Sequence, residues 1–171
     1  MANYIGTWKN VITNPTLFFE KMPISGGYIE PIRFVLINFL LGVIILMIQR
    51  FLIEPYIYRG SLIDFTLNFS IFLLIVGVAG LFINSFILFI YFKIMGGNGG
   101  YEGTFRQLAY SSAPIALPIF PIWVFYSLYL MIVGGERVHN VSKSCSAIVV
   151  LLPIIVVLSY IFYTALTFPL S

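Results

Sequence analysis

The chain has 171 residues, of which 60% are hydrophobic and 9% are charged, and its formal net charge is +3. Soluble domains carry about a quarter charged residues, so this composition excludes an ordinary soluble protein and predicts an integral membrane protein. The small charge gives no support for nucleic-acid binding, and one cysteine with one histidine cannot form an intramolecular disulfide or a conventional zinc site.

The first 30 residues predict an amphipathic segment that precedes a membrane domain at residues 31–171. Apolar residues recur there at helical spacing: Tyr4, Ile5, Trp8, Val11 and Ile12. Asn14 and Pro15 have the residue types that begin a second helix. Two interpretations are open and compatible. The segment lies on the membrane as an interfacial anchor, or it packs beneath the helical bundle.

Five hydrophobic segments follow, at about residues 31–53, 62–95, 105–118, 120–133 and 145–168. The first has the length of one membrane crossing at 1.5 Å per residue. The second would extend about 50 Å if straight, more than the roughly 30 Å hydrocarbon core, so it should tilt or project from the membrane. The predicted fold is all-α, a polytopic bundle of transmembrane helices.

Residues 104–133 contain three prolines and allow two interpretations, a single kinked helix or a hairpin of two short helices that turns near Pro118. Charge distinguishes them. With a cytoplasmic N-terminus, the hairpin places seven Lys and Arg residues inside: Lys9, Lys21, Arg33, Lys93, Arg106, Arg137 and Lys143. Arg50 and Arg59 are then outside, whereas a kinked helix gives five inside and four outside. Positive charge favours the cytoplasmic side, so we predict five spans, with the N-terminus cytoplasmic and the C-terminus outside.

Residues 96–114 form a strongly polar interval in the second half of the chain. Its glycines predict the end of the preceding helix. Thr104, with Gln107 three residues later, predicts an N-cap and capping box for a new helix. That helix carries a polar set towards its end: Arg106, Tyr110, Ser111 and then Pro114. In a membrane helix, such groups indicate one of two things: they form hydrogen bonds with one another inside a bundle, or they form a binding surface.

A second polar stretch, residues 134–144, is predicted to be a loop that contains Glu136, Arg137 and His139. The predicted topology places it on the same side as Glu102 and Arg106. One interpretation is a solvated loop surface. The other is a cap in which Arg106 pairs with Glu102 or Glu136, and which docks a protein partner or anionic headgroups.

These polar stretches carry a family resemblance. GGNGGYEGTFR at 96–106, AYSSAP at 109–114 and GGERVH at 134–139 resemble the Yip-domain family of polytopic membrane proteins, and the resemblance covers about residues 8–153. It implies five spans. The candidate interaction or structural residues are Gly99, Tyr101, Glu102, Thr104, Arg106, Tyr110, Ser111, Pro114, Glu136, Arg137 and His139.

Eukaryotic members of this family interact with Rab-type GTPases and act in early secretory traffic, so the resemblance implies a membrane scaffold or adaptor. The trafficking members carry a longer cytosolic N-terminal region with an Asp-Leu-Tyr-Gly-Pro-type motif, which this sequence lacks. Small GTPase binding is therefore not expected. The short form is similar to prokaryotic members, which implies a location in the cell membrane.

The sequence predicts a non-enzymatic protein without a cofactor. His139 and Cys145 form one potential catalytic pair, but no third residue or oxyanion hole is evident. Expected partners are membrane lipids, a protein partner or a second copy of the chain. The alternative function is a small transporter, channel or lipid-handling protein whose polar path is lined by Asn38, Asn68, Asn84, Tyr110, Ser111 and Ser112. No acidic residue lies deep in a predicted span, which argues against ion coupling.

Overall fold

Seven α-helices and one short 3-10 helix build the part of the chain that this computed structural model describes, residues 3–53, 59–117 and 120–167. The helices are α1 Tyr4–Thr13, α2 Pro15–Lys21, α3 Ile29–Ile53, α4 Arg59–Ile94, α5 Tyr101–Tyr110, α6 Phe120–His139 and α7 Lys143–Thr167. The 3-10 helix, Ala113–Ala116, lies between α5 and α6. Over these ranges every regular element is helical, so the predicted all-α class is confirmed.

Three long helices account for the membrane character of the fold. Within the described residues, three windows are long and apolar enough to cross a bilayer: Ile29–Gln49 in α3, Val76–Ile94 in α4 and Lys143–Thr164 in α7. α4 has 36 residues, about 54 Å at 1.5 Å per residue, so it is longer than one upright membrane crossing, as predicted. The two short predicted spans at 105–118 and 120–133 do not meet this standard, and five crossings are not confirmed.

The proline-rich region differs from the prediction in both of its arms. The first arm is not one helix over 105–118, because α5 ends at Tyr110 and a 3-10 helix follows a turn. The hydroxyls of Ser111 and Ser112 donate to carbonyls three or four residues back, and Pro114 has no N–H to continue the helix. The second arm extends beyond 133, because α6 continues to His139.

The chain nevertheless reverses direction in this region. The Gln107 side-chain amide donates to the Met131 carbonyl at 2.7 Å, and the Thr104 hydroxyl lies 3.0 Å from His139 Nε2. These pairs set α5 and α6 side by side and antiparallel, which excludes a single kinked helix. Residues 118 and 119 of the predicted turn, and position 168 of the last predicted span, lie outside the described residues.

The N-terminal segment is helical and packs beneath the bundle. Val11 is fully buried, and Trp8 Nε1 donates to the Ala113 carbonyl at 2.9 Å. The Tyr4 hydroxyl donates to Asn38 Oδ1 in α3 at 2.8 Å, and the Tyr126 hydroxyl in α6 donates to the Ile12 carbonyl. The packing interpretation is therefore confirmed, while an interfacial location remains a prediction.

Burial is concentrated at one end of the bundle, which we call the polar end: residues 3–30, 92–117 and 131–149. Three groups of packed apolar side chains lie in or directly against it, centred on Val11 and Tyr110, on Phe105, and on Phe92. The apolar end consists of residues 44–53 in α3 and 154–164 in α7. Along α7, every residue from Ile155 to Tyr163 is exposed in the isolated chain.

Candidate functional site

Helix α5, which carries most of the candidate residues, begins earlier than predicted. It starts at Tyr101, and Gly100 is its N-cap with an extended φ of −89° and ψ of 165°. The Thr104 hydroxyl donates to the Gly100 carbonyl at 3.1 Å from within the helix, so the predicted cap at Thr104 is wrong. Gln107 reaches across to α6 instead of back to Thr104. The earlier start places Glu102 in the first turn, where a negative charge is favourable.

His139 forms the centre of a buried cluster. It was expected in a loop, but α6 continues to it and its side chain is fully buried. The imidazole stacks on the Phe92 ring, with centroids 4.0 Å apart and planes 9° apart. Because the Thr104 hydroxyl proton is used towards Gly100, we assign the Thr104 contact as His139 Nε2–H donating to Oγ1, which leaves a lone pair on Nδ1.

Gly99 lies directly against the same imidazole. A Cβ at this position would stand 2.5 Å from the Val138 carbonyl oxygen and 2.7 Å from His139 Nδ1, so a larger residue does not fit. The Asn98 backbone N–H donates to the His139 carbonyl at 3.1 Å and satisfies the end of α6. From the sequence, the glycines of this loop were predicted to end the preceding helix. Its glycines permit the close approach of one backbone to the end of another helix.

The environment of His139 keeps the imidazole neutral. Burial, with a smaller contribution from the charge on Lys93, lowers the pKa of His139 from 6.5 to about 4. The second proton would go on Nδ1, and within the described residues that atom has no hydrogen-bond partner. At neutral pH, His139 is therefore an uncharged group that packs and donates a single hydrogen bond.

Arg106 forms the centre of a second cluster, and it is 1% exposed. Its Nη1 donates to the Gly27 carbonyl at 2.8 Å. Glu102 Oε1 lies 3.8 Å from Nη1, which confirms one of the two predicted ion pairs. The predicted alternative is not observed, since Glu136 lies 3.9 Å from Arg137 instead.

Glu30 is the functional neighbour that the sequence analysis missed. Its Oε2 lies 3.8 Å from Arg106 Nη2, although the two residues are far apart in the sequence. The available signal was an acidic residue in the first turn of a membrane helix, on the side where the basic residues were predicted. The turn between α2 and α3 is also held here, because Gly27 N–H donates to Glu102 Oε1 at 2.6 Å.

The remaining candidate residues have packing contacts. The Tyr101 hydroxyl donates to the Phe82 carbonyl at 3.2 Å, and its ring contacts Phe86. Tyr110 lies between Phe18 and Phe34, with centroid distances of 5.2 and 5.0 Å. Ser111 and Pro114 are also buried, as described above for the end of α5. The structure thus brings all three sequence motifs to the polar end, in two buried clusters and one partly exposed Glu136–Arg137 pair.

The chain matches a known protein family. The family model of the Yip1 domain matches residues 9–165, most of the chain. The chain belongs to the Yip1 domain family. No curated protein and no solved structure was matched. Family membership, together with three helices able to span a bilayer, identifies this Yip1 domain as an integral membrane protein.

No group of three His, Cys, Asp or Glu side chains in the described residues could hold a metal ion. Two of the largest buried polar side chains, His139 and Arg106, are both engaged with the backbone or side chains of neighbouring elements. The charged side chains that the polar end presents to the outside include Glu30, Glu102, Glu136 and Arg137.

Proposed function

We propose that this Yip1 domain is a non-enzymatic membrane scaffold or adaptor whose polar end binds a protein partner or lipid headgroups. The observation that carries the proposal is that the polar residues fall into a buried set and a partly exposed set. His139, Thr104 and Gln107 are buried and connect α5 to α6. Glu102 and Arg137 are partly exposed on the helices that these contacts fix. Exposed charges that are held in place by a rigid, buried support are suited to the recognition of a binding partner.

The proposed topology places the polar end in the cytoplasm, together with the N-terminus, in the cell membrane of a prokaryote. It rests on the distribution of Lys and Arg. α3, α4 and α7 would cross the bilayer, while α5, the 3-10 helix and α6 would enter it and return to the same side. A topology of three crossings with a re-entrant hairpin and a topology of five crossings both have an odd number of spans. Both therefore place the polar end on the same side of the membrane as the N-terminus and the end of α7 on the opposite side.

Sidedness is tested with an impermeant thiol reagent on intact cells, in a Cys145→Ser background. Lys143→Cys, on an exposed residue at the start of α7, should label only after the cells are opened. Thr167→Cys, on an exposed residue at the other end of α7, should label from outside. The opposite pattern would contradict the proposed orientation.

Partner binding is tested by photo-crosslinking in native membranes. A photoreactive amino acid at Glu102 or Arg137 should give a discrete protein adduct on electrophoresis. The matched control is Tyr160 in α7, which is 68% exposed at the apolar end and should give lipid adducts alone. Equal protein adducts from all three positions would argue against a binding function localised at the polar end.

A cavity favours a second candidate function, lipid handling. About 580 Å³ of space lies among α3, α4, α6 and α7, and its lining is mainly apolar. Asn84, Ser112 and Ser127 contribute polar groups, and the buried Ser127 hydroxyl has no hydrogen-bond partner in the described structure. Such a cavity has the size and polarity to admit a lipid chain with a polar group.

Lipid handling is tested in liposomes with flux and lipid-scrambling assays. Ser111 lies at this cavity, and Ser111→Leu would add apolar bulk to its wall. Scrambling that disappears in Ser111→Leu would support lipid handling and contradict a scaffold-only function. Absence of scrambling in the unmodified protein would leave the scaffold as the proposed function.

A further inference from the structure

A cavity lined by charged, polar and apolar side chains lies beside Arg106. It has a volume of about 430 Å³ and lies between the N-terminal helices and the junction of α3 with α5. Buried Arg106 and Tyr110 line it together with exposed Lys21 and Glu30. An adjacent cavity of about 240 Å³ shares Glu30 and Tyr110 and adds Arg33.

The Arg106 guanidinium has unused donors at this cavity. It carries five N–H groups; Nη1 donates to Gly27, and the Tyr110 hydroxyl is a second hydrogen-bonding partner of the guanidinium. The nearest carboxylate oxygens lie at 3.8 Å, beyond hydrogen-bonding distance, and in the described structure Nε has no acceptor. A buried guanidinium with incomplete pairing is unfavourable. An oxyanion with several acceptor oxygens would complete its hydrogen bonding, and phosphate matches the guanidinium fork.

The charges at the cavity indicate which class of phosphate-containing ligand it would bind. Lys21 and Arg106 line the same cavity and would attract an anion. Glu30 lines both cavities with a side chain that is 58% exposed, and it would repel a ligand that is purely anionic. A ligand with an ammonium group next to its phosphate satisfies both signs. A primary ammonium also donates hydrogen bonds to a carboxylate, which a quaternary ammonium cannot do.

The position of the cavity suits a lipid. The membrane window of α3 begins at Ile29, so Glu30 and Arg33 lie within its first two turns, at the depth where a span meets the headgroups. The N-terminal helices line the cavity with both polar and apolar side chains, and Leu17, Phe18 and Met22 form the apolar part of this lining. Leu17 is 50% exposed, which leaves an apolar surface beside the charged groups for the start of an acyl chain.

We propose that this cavity binds the headgroup of a phospholipid that carries both a phosphate and a primary ammonium. Arg106 and Lys21 hold the phosphate, and Glu30 holds the ammonium. The inference rests on the function proposed above, because it names the lipid class that the polar end recognises and requires the chain to lie in a bilayer.

Native mass spectrometry of the full chain in detergent tests this assignment. The protein is titrated with phosphatidylethanolamine, phosphatidylglycerol and phosphatidylcholine of identical acyl chains. We expect a single bound phosphatidylethanolamine with affinity about tenfold above the other two, as for one hydrogen bond to a charged group. Equal affinity for all three lipids would overturn the proposal. In a separate arm, inorganic phosphate that displaces the lipid at equal concentration would identify a free-phosphate site instead.

Matched variants separate the two halves of the headgroup. Glu30→Gln should reduce phosphatidylethanolamine affinity to that of phosphatidylglycerol, whereas Glu20→Gln, an exposed acid in α2 that does not line the cavity, should leave the preference unchanged. Lys21→Gln should weaken all three lipids together, and Lys9→Gln should not. A preference that survives Glu30→Gln, or falls equally in Glu20→Gln, would contradict the assignment.

Failure of the lipid assignment can be distinguished from failure of the scaffold proposal. The cross-linking experiment at Glu102 and Arg137 measures protein adducts and does not depend on lipid preference. Discrete protein adducts with no lipid preference would reject the cavity assignment alone. Loss of both results would reject the scaffold function as well.

Discussion

The polar end and the apolar end of this Yip1 domain bury their side chains in different ways. At the polar end, Arg106, Gln107 and His139 are at most 1% exposed, although each is polar. At the apolar end, Ile161, Phe162 and Tyr163 are 54–65% exposed, although each is apolar or aromatic. The packing partner of the polar end is the protein itself, whereas the partner of the apolar end is the lipid that surrounds it.

This difference indicates where the sequence is constrained. At the polar end, each buried donor or acceptor needs a specific partner at a fixed distance, so single substitutions should be costly. At the apolar end, any side chain of sufficient hydrophobicity meets the requirement of the bilayer. The following predictions test the contrast with measurements of thermal and denaturant unfolding in detergent.

The largest expected effect is a loss of stability on acidification that depends on His139. The pKa of His139 is lowered in the folded state to about 4, so below pH 6.5 the unfolded chain binds a proton that the folded chain does not. The free energy of unfolding should therefore be constant above about pH 7 and fall by up to about 2–3 kcal/mol as the pH decreases to 4.5. His139→Gln should remove most of this slope. A variant with an unchanged slope would assign the acid sensitivity to carboxylates.

The next effect is expected from substitutions at two of the arginines, Arg106 and Arg137. Arg106→Leu should lower the free energy of unfolding by about 2 kcal/mol, because it removes a charge-assisted hydrogen bond to Gly27 and leaves the two nearby carboxylates without their cation. Arg137→Leu is the control, since its pair with Glu136 is partly exposed and contributes about 0–1 kcal/mol. Equal melting temperatures for both variants would contradict the structural role of Arg106.

A smaller effect is expected from one substitution made at two glycines. A Cβ at Gly135 would stand 2.4 Å from both the Phe92 ring and Ser146 Oγ, whereas at Gly80 the nearest group, Asn84 Nδ2, is 3.7 Å away. Gly135→Ala should therefore destabilise by about 1–2 kcal/mol after the gain in helix propensity, and Gly80→Ala should be neutral or stabilising. Destabilisation by Gly80→Ala of the same size would show that Gly80 is packed as tightly as Gly135, contrary to the structure.

The smallest effect is predicted for the apolar end. Val157 in α7 is 56% exposed, so Val157→Ala should change the free energy of unfolding by less than about 0.5 kcal/mol. Val149, in the same helix, is 3% exposed and contacts the Phe92 cluster, so Val149→Ala should cost about 1 kcal/mol or more. Similar values for both valines would remove the distinction between the ends.

The two ends also differ in how far sequence could predict them. The long helices α3, α4 and α7 follow from hydrophobic runs, and their ends were predicted within a few residues. Both ends of α5 and the C-terminal end of α6 were not, because they depend on tertiary contacts. Thr104 has the residue type of a cap, but Gly100 can adopt the capping conformation earlier. His139 follows two glycines that suggest a loop, yet Phe92 and Gly99 stabilise it within the helix.

Within the candidate site, the sequence predicted one short-range pairing but not the long-range ones. Short-range pairs such as Glu102–Arg106 follow from helical spacing of four residues. The contacts of Arg106 with Gly27 and Glu30 connect residues that are distant in the sequence, and no periodicity encodes them. Phe92 is one of 17 phenylalanines, and nothing local marks it as the partner of the histidine.

The contacts of α1 have a consequence for how the chain is made. Its partners Ala113 and Tyr126 are separated from Trp8 and Ile12 by 105 and 114 residues. At about 5–20 residues per second, a ribosome needs roughly 6–20 s to synthesise that interval. During this time α1 can contact α3 through Tyr4 and Asn38 but lacks its partners in the 3-10 helix and α6, and a membrane interface is a stable location for an amphipathic helix. Interfacial binding and full packing beneath the bundle would then be successive stages of biogenesis, separated by the synthesis of α6.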